Sequence, residues 1–457
     1  MAHPEWVLKH KIPNADIKCI RGRYYLYNRT AVWCPEKGRT KKVSLKQIGV
    51  IDQEYGLIPT GMSKVGKVRK GESRIKSDTD YDTDFLDKFE TIEDPRAERN
   101  KLYSMAEVLL VALLGVICGA EGWQDLENYG KSKITYLRHF FEFKNGIPSD
   151  DTFRRFFRSI EPEHFKKIFY EWVRSLARTV GAAVIAIDGK CSRRSHDGDD
   201  KMLHMVSAFA TEARLVLGQE KVSDKSNEIA AIPKLLDLLD IGNHIITIDA
   251  MGCQYAIADK IIQKNADYVF ALKGNQGTLQ DDVALYFDNL SHGDKFESYA
   301  DYDKGHGRIE TRTCSVSYNI KWLTDLHPNW TSIKSIIRID SKRELKGSIT
   351  EEARYYISSL DVPPQQILKA VREHWGIENS LHWILDMSFN EDYSRIRKEN
   401  APQVMAIMRH IALNMLQRYK QNAASNKHKR QSIKGLRKIC AWDDSALDEL
   451  LRQDISS

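Results

Sequence analysis

The sequence lacks the features that would place the protein in a membrane or in an oxidising compartment. Its 457 residues include seven scattered cysteines without a CxxC pair, which argues against a disulfide framework or a zinc site and predicts a reducing cytoplasm. The longest strongly apolar stretch, residues 108–118, is too short to cross a bilayer and predicts a buried core helix. The N-terminus has neither the basic nor the apolar region of a signal peptide. We therefore expect a cytoplasmic protein without membrane contact, with room for about two to four domains.

Acidic residues are scarce at two stretches near the chain ends, although the net charge is only +6. Residues 1–76 contain 17 lysines and arginines against 6 acidic residues, and residues 395–440 contain 12 against 1. Together the two stretches carry +22, so the rest of the chain carries −16. Two basic ends around an acidic middle predict arms that bind a polyanion. Ordinary solvated surfaces are the alternative.

Two apolar runs in the middle of the chain each end in a single aspartate. Residues 184–187 lead into Asp188, and residues 244–248 lead into Asp249. Such runs predict buried strands with the aspartates at their C-terminal ends. Burying an isolated carboxylate costs free energy unless a hydrogen bond or a cation compensates it. Either aspartate alone would be explained as the cap of the turn that follows. Together they predict neighbouring strand ends that share a pocket and bind Mg²⁺ or Mn²⁺.

The order of apolar patterns between residues 183 and 288 predicts an α/β fold. Three strands follow one another, and helices then alternate with two further strands. A meander followed by β-α-β, with acidic strand ends, is typical of the ribonuclease-H type of fold. Residues 300–358 are again rich in β-forming residues, and we interpret them as an insertion into this core.

Basic and aromatic residues alternate near the N-terminus. Between residues 17 and 51 this alternation predicts a small β-rich module. Arg21, Arg23 and Arg29 are its candidate contacts to a nucleic-acid backbone. Eight acidic residues between positions 77 and 94 predict a solvated linker after this module.

The chain is thus expected to consist of seven segments. They are a basic, β-rich, DNA-binding module (1–76), an acidic linker (77–98), a helical region (99–180), the first part of a ribonuclease-H-like core (181–300), a β-rich insertion (301–360), the second part of the core (361–420) and a basic C-terminal tail (421–457). Because the linker separates the first module from the core, the core is expected to fold without it.

A long helix is predicted over residues 367–386, and it carries Glu378. His374 and His382 lie four residues before and after this glutamate, so the three side chains share one face. Two strand-end aspartates and a helical glutamate can hold two divalent ions about 3.5–4 Å apart, an arrangement suited to phosphodiester chemistry. The histidines could instead bind zinc, although neither HExxH spacing nor a cysteine pair supports this. 

Six blocks of sequence closely resemble bacterial insertion-sequence transposases of the DDE type, in the branch that includes the H-repeat-associated proteins. The blocks are residues 187–190, 225–229, 247–254, 273–276, 374–383 and 390–392. The resemblance runs from about residue 88 to about residue 415 and leaves residues 1–76 outside it. It implies that the β-rich stretch is the insertion found in many relatives.

The resemblance also implies the chemistry and its residues. Asp188, Asp249 and Glu378 align with the catalytic triad, which would hold two Mg²⁺ or Mn²⁺ ions with Asp188 shared between them. The expected partners are double-stranded DNA at the element ends and at the target, and a second copy of the chain or more, in the nucleoid. Related enzymes often carry a tyrosine and an arginine before the glutamate and a lysine after it.

This chain has other residues at those places. They are Val371, His374 and Leu385, so the role of the missing arginine falls to Arg372 as a candidate. The candidate DNA contacts in the core are Lys190, Lys225, Lys273, Arg372, His374 and His382. For each lysine and for Arg372, an ordinary surface charge is an equally good explanation. 

Two tryptophans, Trp375 and Trp383, flank the glutamate, and we expect them in the core rather than as platforms for stacked bases. Three functions remain open at this point: an active transposase, a metal-dependent nuclease derived from one, and a non-catalytic DNA-binding repressor. An intact triad argues against the repressor, which needs no strand-end carboxylates.

Overall fold

The protein's structure is a computed structural model, which describes most of the chain outside residues 60–87. The described residues are 3–12, 15–20, 23–34, 39–52, 56–59, 88–89, 94, 96, 101–177, 184–196, 202–222, 228–289, 296–305, 307–345, 347–423 and 426–452. Within the first 59 residues, many side chains lie outside this description.

A small antiparallel sheet forms the N-terminal part. Helix α1 (Glu5–Leu8) precedes four strands joined as a meander: β1 (Ala15–Ile20), β2 (Arg23–Cys34), β3 (Arg39–Asp52) and β4 (Gly56–Pro59). Its small core consists of Val7, Ala15, Leu26 and Ile51. Strands β1 to β3 coincide with the alternating stretch, because aromatic and β-branched residues at every second position fit a sheet with one face covered.

Four helices follow in the chain: α2 (Met105–Ile117), α3 (Trp123–Leu137), α4 (Asp150–Ser159) and α5 (Pro162–Ala177). Every residue of α2 is buried, as its apolar run predicts. A capping box starts it: the Ser104 hydroxyl accepts from the N–H of Glu107, and the Glu107 carboxylate accepts from the N–H of Ser104. Within the described ranges, no helix is both long and apolar enough to cross a membrane.

The central sheet combines antiparallel and parallel strands. In chain order its first half comprises β5 (Val184–Cys191), β6 (His204–Ala210), β7 (Leu215–Val222), α6 (Glu228–Leu238), β8 (Ile245–Ile248), α7 (Tyr255–Gln263), β9 (Asp267–Leu272) and α8 (Gly277–Asp288). Strands β5, β6 and β7 form the expected antiparallel meander. Strand β8 runs parallel to β5, and β9 runs parallel to β8. The predicted α/β class is confirmed.

The β-rich stretch that follows extends this same sheet. It comprises β10 (Glu297–Gly305), β11 (Arg308–Ser317), α9 (Lys321–Leu326), β12 (Ser335–Leu345) and β13 (Ser348–Ser358). Strand β13 pairs antiparallel with β9, so the sheet has nine strands in the order β10-β11-β12-β13-β9-β8-β5-β6-β7. The stretch interpreted as an insertion is therefore continuous with the core through backbone hydrogen bonds, which apolar periodicity does not encode.

The predicted long helix over residues 367–386 is divided in the structure. Helix α10 (Pro364–Ile377) leads into a π-helical turn at Glu378–His382, and α11 (Trp383–Phe389) continues from it. Such single wide turns inside α-helices are often found at functional sites. The interruption was not predictable, because a single π turn adds only one residue and hardly changes the apolar pattern of the helix.

The C-terminal region differs from the basic tail expected over residues 421–457. After the buried helix α12 (Ala401–Asn422) come α13 (Asn426–Lys429), α14 (Ile433–Trp442) and α15 (Asp444–Arg452). Leu436, Leu447 and Leu450 of the last two helices belong to the main core. Lys434 and Lys438 of α14 are exposed, whereas Arg437 is buried and donates to the carbonyl of Val116. Net charge alone therefore did not reveal that this segment packs into the core.

Candidate active site

The two strand-end aspartates lie side by side at the edge of the parallel strands. The parallel pairing of β5 with β8 ends at Ile187 and Ile248, and Asp188 and Asp249 are the next residues of the two strands. Strand β5 itself continues to Cys191, because its other neighbour, β6, pairs with it that far. The sequence suggested that Asp188 ends its strand. In the structure the strand continues, and Asp188 is the first residue after the part of β5 that pairs with the parallel strand β8.

Both aspartates also accept hydrogen bonds from the backbone that follows. Asp249 Oδ1 caps a short 3₁₀ turn by accepting from the N–H groups of Met251 and Gly252, at 3.1 and 3.4 Å. Asp188 Oδ1 accepts from the N–H of Gly189 at 2.8 Å. The capping explanation thus holds for one oxygen of Asp249, and it does not preclude a second role for the same carboxylate.

Glu378 reaches this edge from the π turn. Its Oε2 lies 3.0 Å from His382 Nδ1, which lies 3.7 Å from Asp188 Oδ2. Asp188, Glu378 and His382 each place one potential ligand atom within 4.8 Å of the others. Asp249 lies outside this compact group but lines the same cavity. The sequence predicted a site of three carboxylates. In the structure His382 lies between two of them, Asp188 and Glu378.

The clustered carboxylates act on one another. Burial raises the pKa of Asp188 to about 7, against the lowering effect of the Gly189 N–H, and the charges of Asp249, Glu228 and Glu378 raise it further. A bound cation would stabilise the ionised form of Asp188, because it would compensate the lost hydration and offset the repulsion between the carboxylates.

His382 is buried and His374 is partly buried beside the carboxylates. Burial lowers the pKa of both His374 and His382 below the usual value. His374 Nδ1 is 3.1 Å from the hydroxyl of Thr247, on the strand that leads to Asp249. In the described part of the chain, His382 Nε2 is buried without a hydrogen-bond partner. One nitrogen of His382 therefore contacts Glu378, a candidate metal ligand. One nitrogen of His374 contacts Thr247, two residues before the candidate ligand Asp249.

A cavity of about 540 Å³ opens over these groups. Its lining includes all three predicted triad residues, His374 and Lys273. Lys273 is exposed and directly follows β9, the third parallel strand. Three neighbouring parallel strands thus lead to Asp188, Asp249 and Lys273, so a positive charge lines the same cavity as the carboxylates.

The other predicted DNA contacts are distributed differently. Lys190 lies between Asp386 and Asp392, and Arg372 pairs with Asp301 and, at 3.4 Å, with Asp303. Lys225 and Arg21 lie outside the described residues. Arg23 and Arg29 lie on β2, but their side chains are also outside the description.

The two tryptophans depart from the expected core position. Trp375 is 50% and Trp383 57% exposed, and the Arg354 guanidinium lies 5.2 Å from the Trp375 ring centroid. The sequence pattern could not separate them from the buried Val371, Ile377 and Leu381, because a helix flanked on several sides has no single apolar stripe.

Glu228 is a residue near the site that sequence reasoning missed. It begins α6, and its Oε1 lies 2.7 Å from Nε2 of the buried His204. This pair packs against the backbone of Gly189, next to Asp188. Glu228 belongs to one of the six sequence blocks, but no apolar strand leads into it, so its closeness to Asp188 was not apparent.

We expect Gly189→Ala to lower the free energy of unfolding by about 1–3 kcal/mol. An added Cβ would lie 2.7 Å from His204 Nε2 and closer still to Glu228 Oε1, so the buried pair would have to move. Gly274→Ala is the matched control, because its Cβ would meet open space. Urea unfolding of both variants measures the effect, and equal stabilities would contradict the close approach.

Comparisons with known proteins identify the family of this chain. A family model described as "Transposase DDE domain" matches residues 180–415, slightly more than half of the chain. The chain belongs to the DDE transposase family. A second model, described as "DDE_Tnp_1-associated", matches residues 86–173 and so covers most of the helical region before the sheet of this family member.

Two bacterial relatives of this DDE-family chain cover most of its length. It is 40% identical over 354 residues to "Putative transposase YncI" of Escherichia coli O157:H7, covering 76% of this chain and 91% of that protein. It is 41% identical over 325 residues to "H repeat-associated putative transposase YhhI" of Escherichia coli K12, covering 69% and 85%. A solved structure, a piggyBac transposase synaptic complex with hairpin DNA, aligns over 82% of this chain and 80% of that one at 12% identity and a TM-score of 0.39.

Proposed function

We propose that the protein is a transposase that cuts DNA at the ends of an insertion sequence and joins those ends to target DNA. Two Mg²⁺ or Mn²⁺ ions held by Asp188, Asp249 and Glu378 would serve this chemistry. The observation that carries the proposal is the convergence of all three carboxylates on one cavity, with Lys273 at its edge. 

The donor set fits hard divalent cations. Carboxylate oxygens are the ligands that Mg²⁺ prefers. Burial, and after it the charges of neighbouring carboxylates, raise the pKa of Asp188, so its ionised form would be stabilised by a cation. When bound, such a pair activates an attacking oxygen and stabilises the leaving oxygen of a phosphodiester.

The chain's own residues would prepare the site for this role. His382 Nδ1–H donates to Glu378 and so orients its carboxylate toward Asp188. A second histidine, His374, contacts the hydroxyl of Thr247, which lies two residues before Asp249 on the same strand. Lys273, exposed at the end of β9, would attract a DNA phosphate into the cavity.

Zinc is less well supported than magnesium. One nitrogen of His382 is engaged by Glu378, and one nitrogen of His374 by Thr247. Both contacts suit histidines that orient neighbouring groups, and imidazole is a poor ligand for Mg²⁺. We expect purified protein to hold negligible tightly bound zinc and to be fully active with Mg²⁺ or Mn²⁺.

DNA recognition would involve surfaces outside the cavity as well. The exposed Trp375, stacked with Arg354, offers a face for a displaced base. The N-terminal module with Arg21, Arg23 and Arg29, together with Lys225, would contact phosphates. Joining two element ends in one event requires a homodimer or a larger assembly on DNA.

The decisive experiment supplies labelled element-end DNA, Mg²⁺ and a supercoiled target. Joined products support transposition. Cleavage without joining would instead indicate a metal-dependent nuclease, and binding alone a repressor. An active-site variant such as Glu378→Ala, run in parallel, excludes contaminating nucleases.

Deletion of residues 1–76 is expected to weaken binding to end DNA and to flatten its dependence on salt concentration. Fewer phosphate contacts release fewer counterions, so the slope of log K against log [salt] should become less steep. Binding isotherms at several salt concentrations measure this, and a circular dichroism spectrum controls for folding of the core. An unchanged slope would contradict a phosphate-binding role for this module.

A further inference from the structure

Lys190 lies two residues after Asp188, yet it is placed to bind protein rather than DNA. Its Nζ is 2.7 and 2.8 Å from the two carboxylate oxygens of Asp386 and 3.6 Å from Asp392 Oδ1. The side chain is only 12% exposed. A lysine with two close carboxylates has little charge left for a phosphate.

These contacts belong to a closed ring of residues that includes Asp188 and Glu378 of the candidate active site. Asp386 lies on α11, one helical turn after His382, which in turn contacts Glu378 and Asp188. Lys190 and Asp188 lie on the same strand, two residues apart. The ion pair therefore connects the strand that carries one carboxylate to the helix that follows the other.

The far side of the ring is anchored in the core. Asp392 accepts from the N–H of Arg193 at 3.3 Å and lies 3.2 Å from its Nε. The adjacent Glu391 is buried, with one carboxylate oxygen 3.6 Å from the buried Arg409 of α12. The segment after α11 is thus tied both to the loop after β5 and to the central helix.

We propose that Lys190 is a positioning residue, whose ion pair with Asp386 holds α11 and the π turn against β5 and so sets the separation of Glu378 from Asp188. The proposal rests on the proposed function, because that separation matters for a shared metal site. Residues that orient metal ligands typically change metal affinity or activity 10–100-fold when replaced.

The competing role, phosphate binding, makes a different prediction for DNA affinity. Removing one phosphate contact weakens binding regardless of sequence and reduces the salt slope by about one. Removing a positioning residue leaves DNA affinity and slope unchanged and acts on metal binding and on the rate of cleavage. Lys273, exposed and at the same cavity, is the matched control for the phosphate role.

The test compares Lys190→Gln, Asp386→Asn, their double variant, Lys190→Arg and Lys273→Gln. Each is assayed for the Kd of end DNA at several salt concentrations, the single-turnover cleavage rate, and the Mn²⁺ concentration that half-saturates the rise in melting temperature. We expect Lys190→Gln and Asp386→Asn to keep the wild-type salt slope, to cleave about 10–100-fold more slowly and to need about tenfold more Mn²⁺.

The double variant should be no worse than either single variant, because both remove the same ion pair. Lys190→Arg, which keeps the charge, should recover most of the rate. Lys273→Gln should instead lose about one unit of salt slope with unchanged Mn²⁺ dependence. A slope lost by Lys190→Gln, or single effects that multiply in the double variant, would overturn the proposal.

The Mn²⁺ measurement separates this proposal from the proposed function. If wild-type protein binds Mn²⁺ but never cleaves, the proposed function fails, while the Mn²⁺ affinity of the variants still tests Lys190. Asp386→Glu keeps both charges but lengthens the carboxylate, and it carries the test if Lys190→Gln does not fold. We expect it to weaken Mn²⁺ binding severalfold without affecting DNA affinity, and wild-type Mn²⁺ affinity would refute the positioning role.

Discussion

Replacing Asp188, Asp249 or Glu378 with alanine, one at a time, is expected to lower the rate of DNA cleavage by on the order of 10³-fold or more. All three line one cavity, and the loss of any ligand would destroy the geometry of a shared metal site. Binding to end DNA should remain nearly intact, because the charges that attract phosphates are elsewhere. The three variants should therefore separate binding from chemistry.

Cleavage of labelled end DNA under single-turnover conditions, with Mg²⁺ and separately with Mn²⁺, measures this effect, and mobility shifts measure binding. Glu171→Ala removes an exposed carboxylate of α5 that does not line the cavity, and it should cleave like the wild type. Near wild-type cleavage by any of the three site variants would remove that residue from the triad. Asp249 is the most informative, because it lies outside the compact group of ligand atoms.

Asp188→Asn is expected to stabilise the metal-free protein at pH 8, by up to about 4 kcal/mol in the free energy of unfolding. The pKa of Asp188 is raised to about 7 in the folded protein, against about 3.9 in an unfolded chain. Between these values the folded protein retains a proton that the unfolded chain has released. The contribution of Asp188 to stability therefore falls as the pH rises from about 4 to 7, and asparagine removes this loss.

Urea unfolding in the presence of a chelator, from pH 4.5 to 8, measures the difference between wild type and Asp188→Asn. The gap in favour of the variant should widen up to about pH 7 and then stay constant, while titrations common to both proteins cancel. Saturating Mn²⁺ should reverse the order, because an ionised Asp188 binds the cation and asparagine binds it poorly. A gap that does not change with pH would contradict the raised pKa.

Much of the core was predictable because its signals are local. An apolar run followed by one carboxylate identified the strands that lead to Asp188 and Asp249, since a strand that is buried on both faces is apolar at consecutive residues. The capping box at Ser104 and Glu107 likewise depends on residues close together in the chain. The order of strands and helices, and the sequence blocks shared with DDE transposases, follow from the chain alone.

The candidate site itself was only partly predictable. The three carboxylates were identified as a set, but their closeness to His382 depends on a π turn that widens the helix at Glu378. Glu228 was missed, because the position of α6 against Gly189 is set by long-range packing. The exposure of Trp375 was missed for the same reason.

The sequence by itself determined the two strands that lead to Asp188 and Asp249, and it predicted these carboxylates as metal ligands, because hydrophobic periodicity and residue chemistry are properties of short segments. Only the tertiary structure decided which charges remain available. Lys190 and Arg372 looked like equivalent DNA contacts to Lys273, but the first two are paired with aspartates distant in sequence. An ion pair between residues 196 positions apart, such as that of Lys190 with Asp386, leaves no periodic signal, since it depends on how the helix after Glu378 packs against β5.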